Sequence, residues 1–264
     1  MPIKLVCPIC QGTLYKKQST RKCANCHKEF LSIDGCIDFT GEADDENSKE
    51  KNFYGELYSR EGRVNSEKRF AYKTEGIWFV SVFPSGKDIL FRLSDLSNKE
   101  VLCLGNGTSM KEFLFSMKGA KLCISDLSIG AVLQVKNTLR KASQDFGVQF
   151  HAIDALHLPF EDSSVDVVYG FAFVHHLSDK ITYLNEVYRV LKPKGICVFF
   201  DDAFCPIWQS SKKGILKPLM QYVHKKRGIS PEDRHATWEG GFKREQIETW
   251  GTAAGFSRYF FSQT

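Results

Sequence analysis

Short apolar runs alternate with segments of helical periodicity from Val101 onward, and this alternation constrains the fold more than any other feature. The runs are VLCLG (101–105), KLCISD (121–126), VQFHAID (148–154), VDVVYGF (165–171) and GICVFFDD (195–202). Apolar strands separated by helices are typical of a parallel sheet that is covered on both faces. Right-handed crossovers then predict an α/β fold with a Rossmann-like, doubly wound and mostly parallel sheet, which binds ligands at the carboxyl ends of its strands.

Glycine and aspartate residues follow three of these predicted strands. The first strand ends in Gly105-Asn106-Gly107, and the two glycines permit a tight turn and a close approach of a ligand to backbone N–H groups. Asp126 ends the second strand about twenty residues further on, where a carboxylate can hold two ribose hydroxyls. Asp154 ends the third strand, from which it can reach an adenine amino group. This spacing predicts a nucleoside-containing ligand.

The order of the sequence blocks resembles that of a known family. The blocks are VLCLGNGTS, ISDLS, DALHLPFEDSSVDVV, FVHHL and EVYRVLKPKGICVFFD, and together they resemble the class I S-adenosylmethionine-dependent methyltransferases of the large subgroup that acts mostly on small molecules. The resemblance covers residues 97–202 well and 203–264 loosely. An NAD enzyme is the main alternative, but Asp154-Ala155, the LPF step and the RVLKPKG turn argue against it.

The resemblance implies a cofactor role for each residue that matches a family motif. Gly105, Asn106 and Gly107 would line the methionine part of S-adenosylmethionine, Asp126 the ribose, Leu127, Asp154 and Ala155 the adenine, and Phe171 the methyl-donor end. Two positions depart from the family pattern. Cys103 stands where the family usually has an acid that helps to bind the cofactor's amino group, and Ser109 replaces a glycine. Either these departures weaken cofactor binding, or they are tolerated, since a serine suits a helix N-terminus.

Two histidines follow the fourth predicted strand, and an aspartate lies near the end of the fifth. Methyl transfer from a sulfonium is an in-line displacement, so the protein mainly aligns the acceptor and takes its proton. A histidine backed by a carboxylate is suited to deprotonate a hydroxyl. We therefore expect His175 to be the base and Asp201 its partner, with His176 as the second candidate. The alternative is that the double histidine only shapes the loop.

The sequence leaves several alternatives open for the methyl acceptor. Some sugar-modifying O-methyltransferases of the resembled family carry a similar double histidine and aspartate, so the resemblance favours O-methylation of a small molecule such as a sugar or glycoconjugate. The alternatives are an RNA (rRNA or tRNA) methyltransferase and a non-catalytic cofactor-binding protein. A basic helical insert predicted over 206–245 and a net charge of +5 are compatible with an anionic acceptor or with RNA.

Four of the nine cysteines form two Cys-x-x-Cys pairs near the start of the chain. Cys7 and Cys10, with Cys23 and Cys26, can offer four thiolates in a tetrahedron, so this pattern predicts a structural Zn²⁺ site. Disulfides, a redox pair, or His27 in place of Cys26 are the alternatives. The following segment, HKEFLSIDGCIDFT, resembles the zinc ribbon of tRNA-methyltransferase activator proteins, which implies a structural or docking unit.

These patterns predict three regions along the chain. They are a zinc ribbon over 1–40, a linker and helical lead-in over 41–96, and a Rossmann-like methyltransferase domain over 97–264. No apolar stretch approaches the roughly 18 residues of a membrane span, and no secretory signal is recognised, so a cytoplasmic protein is expected. The sequence does not predict an oligomeric state.

Overall fold

The computed structural model describes residues 3–41, 51, 95–141, 147–171, 173–200 and 242–259. The predicted helical lead-in over 41–96 and the predicted basic insert over 206–245 fall mostly outside these residues. Asp201, the predicted carboxylate partner, also lies outside them.

Within the described residues, nine strands form one sheet in the order β1-β2-β3-β4-β7-β6-β5-β8-β9. The strands are β1 (Leu14–Lys17), β2 (Thr20–Cys23), β3 (Glu29–Ile33), β4 (Cys36–Asp38), β5 (Glu100–Leu104), β6 (Lys121–Asp126), β7 (Gln149–Ala152), β8 (Val165–Phe171) and β9 (Leu191–Phe200). The helices are α1 (Phe113–Met117), α2 (Ile129–Lys141), α3 (Lys180–Val190) and α4 (Arg244–Ala253), and a 3₁₀ turn spans Val174–His176. None of these helices has the length and apolar character that crossing a membrane requires.

Strands β7, β6, β5, β8 and β9 are parallel to one another. Central strand β5 is buried on both faces, since Leu102 and Leu104 pack into one apolar core and Val101 and Cys103 into another. Helix α3 covers the first core, and helix α2 covers the second. The predicted Rossmann-like α/β fold is therefore confirmed.

The predicted strand bounds are accurate for β6 and β8 and too short for β9. The structure begins β9 at Leu191 rather than at Gly195, because Leu191 already pairs with Val165. The pairing then shifts in register between Val165 and Val167. The RVLKPKG segment therefore contributes to the edge of the sheet as well as to the turn.

The N-terminal strands β1 to β4 are antiparallel to one another and extend the parallel sheet at one edge. Strand β4 pairs in parallel with β7, so that Ile37 lies opposite His151. The Ile37 amide also donates to Nδ1 of His151 at 3.1 Å. Phe30 and Phe39 pack with ring centroids 5.2 Å apart beside this junction. Backbone pairing and apolar packing thus join the cysteine-bearing strands to the α/β sheet.

Candidate cofactor site and metal centre

The glycine loop after β5 has the backbone conformation that its glycines permit. Gly105 has φ of 60° and Gly107 has φ of 53°, in the left-handed region that favours glycine. A Cβ at Gly105 would lie 2.3 Å from Cγ of Phe173, which leaves no room for a side chain. The Asn106 amide donates to the Ser125 carbonyl at 3.0 Å, and this bond ties the loop to β6. The loop is therefore fixed at the carboxyl edge of the sheet.

Asp126, at the end of β6, binds the glycine loop directly. Its Oδ2 accepts from the Gly107 amide at 2.7 Å, and its Oδ1 accepts from the Ser128 amide at 2.9 Å. Burial raises the pKa of this carboxyl above its usual value, and the hydrogen bonds from backbone amides oppose that rise. A carboxylate offers about four acceptor sites. The remaining sites of Asp126 have the chemistry to receive two hydroxyl groups.

Asp154, just after β7, lies at the same edge of the sheet. Its Oδ1 accepts from the Leu156 amide at 2.9 Å, and its Oδ2 lies 3.3 Å from Nδ1 of His157. The Ile153 amide donates to the Asp126 carbonyl at 2.9 Å, so the two predicted aspartates follow neighbouring and connected strand ends.

All of the predicted cofactor residues lie among the described residues, at or just beyond the carboxyl ends of four neighbouring strands. They are Asp154 and Ala155 after β7, Asp126 and Leu127 at β6, Gly105, Asn106 and Gly107 after β5, and Phe171 at the end of β8. Asn106, Asp126 and Ala155 are buried, whereas Leu127 and Phe171 are partly buried.

Two charged residues at this edge were not singled out from the sequence. Nζ of Lys111 lies 3.2 Å from the ring centroid of Phe171 and 3.3 Å from Oε1 of Glu112. The Lys111 side chain is 10% exposed and that of Glu112 only 2%. Charged residues at the start of a helix are usually solvated, so no local sequence pattern predicts this burial. Only their position just after the glycine loop indicates that they lie near the site.

The two predicted histidines lie in the 3₁₀ turn that follows β8. The His176 amide donates to the Phe173 carbonyl at 2.9 Å, and the ring of Phe173 packs edge-on against Tyr183 with centroids 5.6 Å apart. The rings of His175 and His176 are partly buried, with centroids 4.0 Å apart. The turn follows the strand that ends in Phe171. Because Asp201 lies outside the described residues, its pairing with His175 stays a prediction.

The four predicted metal ligands come together in the ribbon. Sγ atoms of Cys7, Cys10, Cys23 and Cys26 all lie within 4.8 Å of one another, and the thiols are free. The Cys7–Cys26 and Cys10–Cys23 sulfur distances are 3.6 and 3.4 Å. Tetrahedral Zn–S bonds of about 2.3 Å require sulfurs roughly 3.8 Å apart, so the cluster has about the size of a zinc site.

The chain around Cys23 also suits a thiolate. The Asn25 amide donates to its sulfur at 3.4 Å. Burial opposes ionisation, yet hydrogen bonds from the amides of Cys26 and Asn25 lower the pKa of Cys23 to about 6. A Cβ at Gly12 would lie 2.8 Å from the same sulfur, so only glycine lets the first knuckle approach the second this closely.

Comparisons with known proteins agree with this geometry. Residues 102–199 match the family model described as a methyltransferase domain. The chain is similar to a demethylmenaquinone methyltransferase of Thermobifida fusca, with 30% identity over 165 residues, 61% of this chain and 66% of that protein. It is also similar to the O-methyltransferase resE of Aspergillus sclerotiorum, with 27% identity over 124 residues, 46% of this chain and 47% of that protein.

A similar solved structure is a SAM-dependent methyltransferase from Aquifex aeolicus, at 17% identity and a TM-score of 0.47, covering 64% of this chain and 78% of that chain. The domain match and the curated relatives confirm a methyltransferase domain over residues 102–199, which agrees with the predicted class of S-adenosylmethionine-dependent methyltransferases. The chain spans about two thirds of the length of the first curated relative and less than half of the second. The first relative is named for demethylmenaquinone and the second only for O-methylation, so their names do not indicate one shared acceptor.

Proposed function

We propose that this methyltransferase moves the methyl group of S-adenosylmethionine to a hydroxyl oxygen of a small molecule, for example a sugar or glycoconjugate. The observation that carries the cofactor assignment is the Asp126 carboxylate, which accepts from the amides of Gly107 and Ser128 at the carboxyl edge of the sheet and has the chemistry to accept from ribose hydroxyls.

The order of the strands indicates which residues would contact the other parts of the cofactor. Asp154 and Ala155, after β7, would contact the adenine, because β7 lies beside β6 on the side away from the glycine loop. Gly105 and Gly107 would contact the methionine part, since their backbone permits a close approach. Phe171 would then lie near the sulfonium, at the end of the next strand.

His175 is the proposed base. A hydroxyl oxygen must lose its proton as it attacks the methyl carbon, and a histidine titrates in the range where it can accept that proton. His175 lies in the 3₁₀ turn that follows Phe171, the last residue of β8. The rings of His175 and His176 pack with their centroids 4.0 Å apart. Asp201 follows Phe200, the last residue of β9. Phe200 pairs with Phe171, the strand end that precedes the histidine turn, and for this reason we keep Asp201 as the proposed partner of His175.

One observation favours a small-molecule acceptor over RNA. The two curated relatives are named for demethylmenaquinone and for O-methylation. Ring-carbon methylation is a second candidate, because deprotonating a ring hydroxyl also makes the neighbouring carbon nucleophilic. It is supported by a relative from Desulfotalea psychrophila that is named a ubiquinone/menaquinone biosynthesis C-methyltransferase.

We further propose that Cys7, Cys10, Cys23 and Cys26 hold one structural Zn²⁺. Four thiolates leave no open coordination position, so this metal would fix the ribbon rather than take part in methyl transfer. Zinc analysis of the purified full chain tests this proposal. We expect about one Zn²⁺ per chain and a loss of that zinc in Cys23→Ser. A metal-free wild type that keeps its folded ribbon would contradict it.

The acceptor and the base are tested by incubating the protein with radiolabelled S-adenosylmethionine and fractionated cell extract. We expect label in a small molecule, and a loss of at least about a hundredfold in turnover for His175→Ala. Label in RNA would support the alternative acceptor. Tight cofactor binding without any turnover would support the non-catalytic alternative.

A matched control separates the two histidines. If His175 is the base, His176→Ala retains most of the turnover and the same pH dependence as the wild type. If both alanine variants keep full turnover, neither histidine is the base, and the proposed proton transfer is wrong.

A further inference from the structure

Two buried acceptor atoms beside the glycine loop have no hydrogen-bond partner within the described part of the chain. They are Oδ1 of Asn106 and Oε2 of Glu112. The orientation of the Asn106 amide is fixed, because its Nδ2 donates to the carbonyls of Ser109 at 2.8 Å and Gly107 at 3.4 Å. A buried acceptor without a donor costs about 1–3 kcal/mol, so a ligand that brings donors to these atoms would recover that energy.

The Glu112 carboxylate lies near the carboxyl ends of β5 and β8. Burial first, and the negative charge of Glu112 second, raise the pKa of both the Cys103 thiol and the Tyr169 phenol. Cys103 and Tyr169 are opposite each other in the β5–β8 pairing. Oε1 of Glu112 contacts Lys111, whose Nζ also lies over the Phe171 ring. Oε2 is therefore the oxygen of Glu112 that is left for a ligand.

The chemistry of these two atoms defines the group they would bind. Both are acceptors, and one belongs to a carboxylate, so the matching group carries hydrogen-bond donors and a positive charge. An ammonium group supplies three N–H donors on one cationic centre. The methionine part of S-adenosylmethionine ends in such a group. Cys103 cannot supply the negative charge, because its buried thiol has a raised pKa and stays neutral.

We propose that Glu112 and Asn106 bind the α-ammonium group of the methyl donor, with Glu112 Oε2 as the charged acceptor. This inference rests on the proposed function and names the residues that recognise the amino-acid end of its cofactor. Lys111 holds the other carboxylate oxygen and so fixes the orientation of Glu112.

The test is calorimetric titration of the full chain with S-adenosylhomocysteine and with its deaminated analogue, which lacks only the amino group. We expect the wild type to bind S-adenosylhomocysteine about 10- to 100-fold more tightly than the analogue, as for a hydrogen bond to a buried charge. Glu112→Gln is expected to abolish that preference by weakening S-adenosylhomocysteine alone. Glu100→Gln, the same change at the other end of β5, is expected to preserve the preference.

Each other outcome overturns a defined part of the account. A wild type that binds both ligands equally well, or a Glu112→Gln variant that weakens both equally, contradicts the assignment of Glu112. A folded wild type that does not bind S-adenosylhomocysteine contradicts the proposed function as well. Should Glu112→Gln fail to fold, Asn106→Ala takes its place and is expected to reduce the same preference.

Discussion

The two ends of the parallel strands carry similar charged residues that are used in opposite ways. At the amino end, Asp166 accepts from the Glu100 amide at 2.9 Å and from Lys192 at 2.8 Å, and Lys192 also contacts the Glu100 carboxylate at 2.5 Å. At the carboxyl end, Glu112 and Asn106 each keep a buried acceptor without a partner in the described residues. Among the described residues, the charges of the amino-end group are paired with one another, whereas Oε2 of Glu112 and Oδ1 of Asn106 are the acceptors that we propose for a ligand.

The pKa shifts follow the same division. Burial opposes ionisation of Asp166, but its hydrogen bonds with Lys192 and Glu100 lower its pKa to about 2. At the other end, burial dominates for Asp126 and raises its pKa. The ionised carboxylate of Asp166 therefore stabilises the folded protein, whereas the ionised carboxylate of Asp126 destabilises it.

The largest expected effect is on Asp126. Asp126→Asn removes the charge and one acceptor face that the ribose hydroxyls would use, so the affinity for S-adenosylhomocysteine is expected to fall about a hundredfold, as two hydrogen bonds to a charged group weaken. Calorimetric titration of the folded variant measures this loss. An affinity within a factor of about three of the wild type would remove Asp126 from the cofactor site.

Asp166→Asn is expected to show the opposite behaviour, with a loss of stability and no loss of cofactor binding. The wild-type pKa of about 2 lies below its ordinary value of 3.8, so Asp166 stabilises the fold above about pH 4, and this contribution is lost as the pH falls toward 2. With allowance for partial exposure, we expect the variant to lose about 1–2 kcal/mol of unfolding free energy at pH 7.

Urea unfolding between pH 7 and pH 3 measures this effect. The wild type is expected to lose stability more steeply than Asp166→Asn as the pH falls below about 4. If the unfolding free energies of the two proteins fall in parallel with pH, the ionised Asp166 carboxylate, paired with Lys192, does not stabilise the fold.

The smallest expected effect is on Asp179, and it tests whether a carboxylate near the site affects cofactor binding when its acceptor atoms are already hydrogen-bonded. Asp179 precedes α3, in the same connection as the histidine turn, but its carboxylate accepts from the amides of Ile181 and Thr182 at 3.0 and 2.9 Å. Asp179→Ala is expected to cost about 1 kcal/mol of unfolding free energy, as for the loss of a helix N-cap, and to leave S-adenosylhomocysteine affinity unchanged. A large loss of S-adenosylhomocysteine affinity would contradict this expectation. It would mean that a carboxylate in this region contributes to cofactor binding even when its oxygens already accept hydrogen bonds from the chain.

The sequence predicts the parallel part of this fold well because local patterns determine it. Apolar runs and helical periodicity place β6 and β8 correctly, and the glycine loop and Asp126 follow from turn chemistry and spacing. The start of β9 at Leu191 and the pairing of β4 with β7 do not follow from such local patterns. Short strands pair according to distant partners, and no local pattern reports which partner is available.

The residues of the candidate site are likewise predictable only where a local pattern determines their position. Residues at strand ends can be predicted, because parallel strands bring their carboxyl ends to one edge. Glu112 could not be predicted, since a glutamate at the start of a helix is usually solvated and its burial depends on the packing of α1 against Cys103 and Tyr169. The four cysteines were predicted from their spacing alone, and the structure brings their sulfurs together.

A crystal structure of the full chain with S-adenosylhomocysteine tests the central claim most directly. We expect the ribose hydroxyls to bind the carboxylate of Asp126 and the α-ammonium to lie within hydrogen-bond distance of Glu112 Oε2. A ligand bound at another edge of the sheet, or in this cleft with its ribose away from Asp126, would contradict it.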